Sequence, residues 1–331
     1  MRDSSLRHLG DSGHGGIAVA KYVISRLLLL IPIILGVSFI VFSILSLTPS
    51  DPASIILGMD AEQEAIDQLN HELGFDKPFL VRYVDYVVNA VTRFDFGKSY
   101  ITQKPVFQEI ASRFPNTLLI AFAGVALSAL IGIPIGIYSA VRQYSVGDAI
   151  ASVSAMFLAA VPGFWLGMTF MLIFSLWLRI LPASGANTWK HFIMPVFTMA
   201  LPAAAQMLRL TRSTMLETIR QDYIRTARAK GASERRVIFK HALKNALLPI
   251  ITMLGINFGT QLSGAIIVES VFSIPGIGTL VVSSIRMKDI PQVMAATIFL
   301  ATLFCLIILF VDLLYAFIDP RIRAKYAKAR V

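Results

Sequence analysis

The sequence predicts an all-α, polytopic membrane protein with six transmembrane helices, and its composition, its apolar runs and the placement of its cations support this fold class. Of the 331 residues, 56% are apolar and only 15% are charged, a balance outside the range of soluble domains. A helix needs roughly 20 apolar residues to cross about 30 Å of hydrocarbon. Six runs meet that need: residues 27–47, 117–141, 149–178, 191–210, 246–268 and 294–311.

The third run, residues 149–178, is longer than one span requires and contains Pro162 followed by Gly163. Proline inside a helix removes a backbone hydrogen bond and bends the chain. We therefore predict one kinked helix that runs past the bilayer, with two shorter segments as the alternative.

The distribution of Lys and Arg orients these spans. If the N-terminus is cytoplasmic, 20 of the 30 basic residues lie on the inner side. Six of the other ten lie in the outer segment 48–116, whose length exempts it from the positive-inside rule and in which ten acids outnumber them. Both termini are therefore predicted to be cytoplasmic, with tails at residues 1–26 and 319–331. A core of five further spans then covers residues 117–318.

The first apolar run is predicted to be an uncleaved anchor. It is 21 residues long, which exceeds the roughly 7–15 residues of the apolar region in a signal peptide, and the residues after it form a weak cleavage pattern. The polar stretch 1–16 before it is predicted to be mobile. Its histidines, His8 and His14, have neither a cysteine nor helical spacing beside them and do not predict a metal site.

The outer segment 48–116 is predicted to fold as a small cap of three amphipathic helices. The first begins at Asp60 as its N-cap and stops at Gly74, and the third is bracketed by Pro105 and Pro115. The second helix places five apolar or aromatic side chains at helical spacing: Leu80, Tyr83, Val84, Val87 and Val91. These helices either pack on each other or lie on the outer membrane face. The cap is acidic, so we expect it to contact an external partner.

No catalytic, cofactor-binding or metal-binding residue is predicted. The "GKS" at residues 97–99 lacks the glycine that a nucleotide-binding loop has five residues earlier, where this chain has Thr92, and it lies on the outer side. Cys305 lies within the sixth span, where packing is the expected role. None of the five histidines lies within the interior of a span, which argues against an intramembrane hydrolase.

The spans also lack an ionisable side chain near their middle. Glu269 lies at the outer end of the fifth span and Asp312 near the inner end of the sixth. Ion-coupled transporters usually place a carboxylate, His or Lys midway through the membrane. If this protein moves a solute uphill, the energy is therefore expected to come from another subunit.

A basic stretch at residues 215–245 interrupts the apolar chain. A first helix is predicted from the spacing of Met215, Ile219, Tyr223 and Ala227, and it ends at Lys230 and Gly231. Ser233 is predicted to cap a second helix that continues past Pro249 into the fifth span. Two cytoplasmic helices would then meet at a sharp corner. From composition alone, a basic loop that lies on anionic lipid remains an equal alternative.

Several motifs in order give the chain a family resemblance. The stretch "DYIRTARAKGASERRV", followed by "HALKNALLP", resembles the coupling segment of the inner-membrane permeases of ATP-binding-cassette (ABC) importers. Further similarity to the dipeptide, oligopeptide and nickel group lies in "TPSDPA", "ELGFDKPFLVRYVDYV", "FDFGKS" and "VESVFSIPGIGTLV". The resemblance covers nearly the whole chain from Lys21 onward. It implies the transmembrane fold of a type I ABC importer.

The resemblance also implies which residues contact an ATPase. Gly231 and Ala227 match the family's glycine and second alanine, while Arg225 and Thr226 stand where the general pattern has Glu and the first Ala. An acidic contact at position 225 is therefore not expected. The implied coupling residues are Asp222, Tyr223, Arg225, Thr226, Ala227, Arg228, Ala229, Lys230, Gly231 and Ala232.

Partners and cargo follow from the same resemblance. It implies half of a translocation pore, completed by a second homologous permease, two cytoplasmic ATPase subunits that bind ATP, and an extracytoplasmic solute-binding protein. Besides these proteins the partner is membrane lipid, and no feature points to nucleic acid. The implied cargo is a di- or oligopeptide, with nickel or another small solute as the alternative. An ion-coupled secondary transporter is the alternative of a different class.

Polar residues on the fifth span are candidates for the solute path. Asn257, Gln261 and Ser263, with Glu269 at the mouth, would offer hydrogen bonds to a peptide. The alternative is that they bond neighbouring helices. No span contains a cluster of His, Cys or Asp, which favours peptide over nickel.

Overall fold

A computed structural model describes residues 11–47, 52–58 and 61–318, and every regular element in these ranges is helical. The predicted all-α membrane fold class is confirmed. The elements are α1 Asp11–Leu47, α2 Pro52–Leu57, α3 Gln63–Glu72, α4 Phe79–Arg93, α5 Val106–Val141, α6 Val146–Ala160, α7 Gly163–Phe170, α8 Lys190–Ile219, α9 Asp222–Ala229, α10 Glu234–Arg236, α11 Leu243–Phe272, α12 Ile277–Arg286 and α13 Ile290–Ile318. A π-helical turn follows α7 at Met171–Trp177, and another follows α10 at Val237–Ala242.

Five helical stretches in the described part of the chain are long and apolar enough to cross a membrane: Val23–Leu47, Val106–Val141, Lys190–Ile219, Glu234–Ser263 and Ile290–Val311. Two bent pairs raise the number to as many as seven. The six predicted runs correspond to the five stretches and the first bent pair.

The first bent pair corrects the prediction of one kinked helix over residues 149–178. The chain turns by 99° between α6 and the segment Gly163–Trp177, so two shorter segments form instead. Val161 and Pro162 both have extended backbone angles. Proline disfavours a helical conformation in the residue before it and has no N–H to donate, which explains why the helix ends here.

The N-terminal boundary also differs from the prediction. α1 begins at Asp11, so the later part of the predicted mobile stretch 1–16 is helical. Adding residues to an existing helix costs far less than starting one, and the apolar run provides the helix to extend. Residues 1–10, the tail 319–331 and the predicted N-cap Asp60 lie outside the described residues.

The outer cap contains α2, α3 and α4, with α3 and α4 where the pattern placed its first two helices. Gly74 follows α3 with φ +73°, the left-handed conformation expected of a helix stop. The third predicted cap helix is not separate. It is the first part of α5, which runs through Pro115 as one helix with the second span. An internal proline removes one hydrogen bond but does not by itself end a long helix.

The centre of the bundle is a close contact between α5 and α8. α5 carries a small residue at every fourth position on the buried face that meets α8 and α11: Gly124, Ser128, Gly132, Gly136 and Ala140. A Cβ atom on Gly132 would lie 2.6 Å from the carbonyl oxygen of Ala204, and one on Gly136 would lie 2.8 Å from that of Leu208. Small residues at this spacing let two helix backbones approach closely within a membrane.

A buried ion pair joins the start of α6 to α8. Arg212 donates two hydrogen bonds to the Asp148 carboxylate, at 2.7 Å and 2.9 Å. That carboxylate also accepts the Ser139 hydroxyl and the backbone N–H of Tyr144. Because each carboxylate oxygen is bonded, the charge is compensated where water is scarce.

Candidate functional site

The basic stretch folds as a corner, which we define as residues 222–236. α8 ends at Ile219, Gln221 is extended, and the short helix α9 starts at Asp222. The single helix predicted from Met215 to Gly231 is therefore wrong. The break turns Ile224 inward, where its side chain is completely buried.

Apolar contacts anchor this corner to the bundle. Ile224 belongs to one buried cluster with Met215 of α8 and with Val237 and Ala242 of the chain that leads into α11. The pattern had placed Tyr223 on the inner face, but Tyr223 is exposed and its hydroxyl accepts a 2.9 Å hydrogen bond from the Asn245 amide. Sequence reasoning missed Ile224 because it assumed one continuous helix. In such a helix Ile224, five residues after Ile219, does not share a face with Ile219.

The outer edge of the corner is open to contact. Most of the implied coupling residues are exposed, and Ala227 and Ala232 are half-buried. Arg228 donates to both carboxylate oxygens of Glu234, at 2.8 Å and 3.3 Å, and so links α9 to α10. Both side chains are largely solvated, so this pair orients the two helices more than it stabilises the protein.

Gly231 forms the apex. Its φ is +79°, and a Cβ atom placed on it would have no atom within 4 Å. Glycine is therefore required here by its left-handed backbone conformation and not by a lack of space for a side chain. Its N–H donates to the carbonyl of Arg228, and that of Ala232 donates to Ala227, which closes the end of α9.

Beyond the apex the chain runs without a break into the bundle. Ser233 occupies the predicted N-cap position with extended backbone angles, but its side chain makes no capping bond. From Glu234 the chain is helical through the π turn and through Pro249 to Phe272. A continuous helical path therefore joins the corner to α11.

Two of the candidate path residues are buried polar groups. Asn257 and Gln261 are 6% and 7% exposed, one turn apart on α11. Neither amide oxygen nor nitrogen of Gln261, nor the amide nitrogen of Asn257, has a hydrogen-bond partner within the described residues. Gln261 faces Gly124 of α5, where a Cβ atom would lie 2.4 Å from its amide oxygen. Unpaired polar groups inside a bundle are costly, so the arrangement calls for a further partner.

The other two candidates have different surroundings. Ser263 is exposed and lines an apolar groove between α1 and α13, beside Pro32 and Cys305. Glu269 does not line an open path, contrary to the expectation. It is completely buried and accepts a 2.6 Å bond from the Thr117 hydroxyl and a 3.0 Å bond from the Thr279 backbone. The carboxylate therefore joins α5, α11 and α12.

The "GKS" stretch has a structural use in this fold. The Ser99 hydroxyl donates to the buried Asp289 carboxylate, which also accepts the Tyr100 N–H at 3.1 Å. Gly97 has a φ of +85°, and its N–H donates to Asp95. These bonds attach the outer cap to the loop before α13. Sequence reasoning missed Asp289 because its partner lies 190 positions away.

Comparison with protein families identifies the chain. Residues 132–324 match the binding-protein-dependent transport system inner membrane component, and residues 19–121 match the N-terminal part of such membrane components. The chain belongs to this permease family. The permease is 43% identical over 305 residues to the glutathione transport system permease protein GsiC of Salmonella typhimurium strain LT2 and 42% identical to GsiC of Escherichia coli strain K12. Each alignment covers 92% of this permease and 99% of the relative.

Solved structures support the fold. The permease resembles the MetNI methionine ABC transporter in two crystal forms of its inward-facing conformation, with TM-scores of 0.53 and 0.51. Sequence identity is 17% in both comparisons, each covering 64% of this permease and 97% of the other chain. The protein is thus a multi-pass inner-membrane permease subunit of an ABC importer. Its family depends on a binding protein.

Proposed function

We propose that this permease forms half of a translocation pore for small peptides, and that an ATPase drives it through the corner. The observation that carries the proposal is the corner's geometry: an exposed edge, an apolar anchor at Ile224 and an unbroken path into α11. The partners in this proposal are a second homologous permease, two cytoplasmic ATPase subunits and an extracytoplasmic solute-binding protein. The corner and both termini then face the cytoplasm.

The corner is suited to transmit a force from an ATPase to the membrane helices. Its buried cluster ties α9 to α8 and to the chain that enters α11, so a force on the exposed edge reaches both helices. Packed helices respond to such a force by rigid-body rocking because close-packed interiors deform little. ATP is bound by the ATPase partners in this proposal, and this chain binds no cofactor.

Peptide cargo is supported by the relatives and by the buried amides. The relatives are named for transport of glutathione, which is a tripeptide. The amides of Asn257 and Gln261 have unused donors and acceptors of the kind that pair with a peptide backbone, and in this proposal they meet the peptide when α11 moves away from α5. Among the described residues, no three His, Cys, Asp or Glu side chains lie close enough together to hold a metal ion. Nickel could still cross as a chelate, so it belongs in the test.

The test begins with the cognate solute-binding protein. We expect calorimetry to show binding of glutathione or of short peptides and no binding of free nickel. The complete transporter in proteoliposomes should then take up the bound peptide only when ATP is supplied. Binding of a nickel chelate and not of peptide would contradict the peptide assignment while leaving the importer assignment intact.

A second arm tests the class of transporter. We expect this permease alone, in liposomes under a proton or sodium gradient, to accumulate no peptide. Accumulation without ATPase subunits would support a secondary transporter and contradict the proposed drive through the corner.

A further inference from the structure

The cap helix α4 exposes an apolar stripe that no described residue covers. Four valines and one leucine, 43–68% exposed, lie within an arc of about 100° on this helix: Leu80, Val81, Val84, Val88 and Val91. α4 has no buried residue along its 15 positions. A stripe of this kind on a segment outside the predicted spans requires a partner.

The other faces of α4 have defined surroundings. Tyr83 donates a 2.9 Å hydrogen bond to the carbonyl oxygen of Leu35 on α1, and its ring contacts the rings of Phe39 and Phe42 edge-on or tilted. The polar residues Asp85 and Asn89 lie on a third face and are exposed. α4 is therefore held against α1 by one face. Its polar face lines a cleft with Tyr100 and Pro291, in which Asp85 accepts a 3.0 Å bond from Lys77, and its apolar face is left open.

The attachment point lies on the apolar part of α1. Leu35 lies twelve residues before the end of α1. It is inside the stretch Val23–Leu47 that is apolar enough to cross a membrane. The contact with Leu35 therefore places α4 beside the apolar part of α1.

The apolar stripe continues onto α1. Phe39, Ile40 and Ile44 of α1 are 40–59% exposed, and Phe39 also touches Phe79 at the start of α4. Only 11% of the apolar window of α1 is buried within the chain. A membrane-spanning helix that exposes apolar residues on several sides faces acyl chains on part of its surface, and the stripe on α4 lies beside Phe39 of that helix.

We propose that α4 is an interfacial helix that lies in the outer leaflet, with its apolar stripe in the acyl chains and Asp85 and Asn89 toward water. The layout of one charged face and one aliphatic face is typical of helices that lie in a membrane interface. A protein partner fits less well because the stripe contains only Leu and Val. Protein interfaces depend mainly on Trp, Tyr and Arg, and Leu and Val are under-represented at their strongest contacts.

The single cysteine of the chain allows a direct test. Cys305 is first changed to Ser, and uptake by the complete transporter is checked. A nitroxide is then attached in separate variants at Val81→Cys, Val84→Cys, Val88→Cys and Val91→Cys, with Asp85→Cys and Asn89→Cys as matched controls on the same helix. Each of these side chains is exposed, so the nitroxide is attached outside the core, and Asp85→Cys breaks only the exposed ion pair with Lys77. Collision rates with oxygen, which concentrates in lipid, and with a water-soluble nickel chelate are measured in lipid nanodiscs.

We expect oxygen collisions to dominate at all four stripe positions and chelate collisions to dominate at the two controls. Chelate access at the stripe would show that it faces water. Protection from both reagents would show that a protein covers it. Either result would overturn the proposal. The measurement does not depend on the cargo, so it is independent of the proposed function.

Discussion

At the scale of single residues, Gly231 is the position whose backbone conformation most restricts which residue can occupy it. Its φ of +79° is strained for any side chain, yet the space around it is free. A left-handed conformation costs roughly 1–2 kcal/mol for a residue with a Cβ atom, and Asn tolerates it better than most residues. The effect of a substitution should therefore depend on backbone preference and not on side-chain size.

We expect Gly231→Val to abolish ATP-driven uptake while the transporter still assembles in the membrane. The strained backbone would relax by moving the apex, and the edge offered to the ATPase would move with it. Gly231→Asn is the control and should retain most of the uptake. Uptake and ATP hydrolysis in proteoliposomes are the measurements. Normal uptake by the Gly231→Val variant would contradict the proposal that the ATPase drives transport through the corner.

Glu269 shows how one buried residue can hold three helices. Its carboxylate is bonded to Thr117 and Thr279, and a Cβ atom on Gly276 would lie 2.2 Å from that carboxylate. The residue's position at the end of an apolar run suggested a pore mouth. Its burial instead assigns it to the packing of the turn before α12.

At the scale of elements, the contact between α5 and α8 can be tested with one methyl group. We expect Gly132→Ala to lower the thermal stability of the purified permease complex in detergent, because the added Cβ atom would lie 2.6 Å from a backbone oxygen that cannot move aside. Overpacking of this kind costs about 1–3 kcal/mol. Gly36→Ala on α1 is the control, since nothing lies within 4 Å of its Cβ position. Equal stability of the two variants would contradict the close approach of the backbones.

The ion pair between α6 and α8 gives a second test at this scale. We expect Asp148→Asn to destabilise the permease by about 3 kcal/mol, because breaking a buried pair leaves the other charge uncompensated. Arg212 keeps 28% of its side chain exposed, which places the expected cost at the low end of the range for buried pairs.

Two comparisons control the Asp148 measurement. The double variant Asp148→Leu with Arg212→Met removes both charges and should recover much of the stability. Lys77→Met breaks the pair with Asp85, in which both side chains are 51% exposed, and should change stability little. If Asp148→Asn lowers stability no more than Lys77→Met does, the Asp148–Arg212 pair does not stabilise the contact between α6 and α8.

At the scale of the whole molecule, hydrogen bonds among the described residues join the cap to the bundle on two sides. Tyr83 binds α1, and the Ser99–Asp289 bond secures the loop before α13. Gln292 near the start of α13 also donates to Glu109 of α5. A force applied to the cap by a bound partner would therefore reach the outer ends of several spans.

The acidic helix α3 is the part of the cap that we expect to meet the solute-binding protein. Glu64, Asp67 and Glu72 are all exposed on it. Changing all three to Lys should reduce the stimulation of ATP hydrolysis by the binding protein, with the largest loss at low salt. The same three positions changed to Gln, Asn and Gln should have a smaller effect. Undiminished stimulation in the Lys variant would exclude this surface as the contact.

The sequence by itself determined which parts of this protein enter a membrane and which family it belongs to. Apolar runs of sufficient length mark spans whatever their neighbours are, because hydrocarbon requires every backbone group to be bonded within its own helix. The glycine at position 231 was also evident locally, since a left-handed helix stop depends on one residue's backbone.

Only the tertiary structure decided where the helices meet and what the buried polar groups do. The break before Asp222, the inward turn of Ile224 and the role of Asp289 depend on surfaces that lie far apart in the chain. Glu269 and Gln261 are both buried polar residues on α11, yet Glu269 is hydrogen-bonded and the Gln261 amide has no partner among the residues that the structure describes. Spacing along one helix cannot separate these cases, because the difference lies in which neighbouring helix each side chain faces.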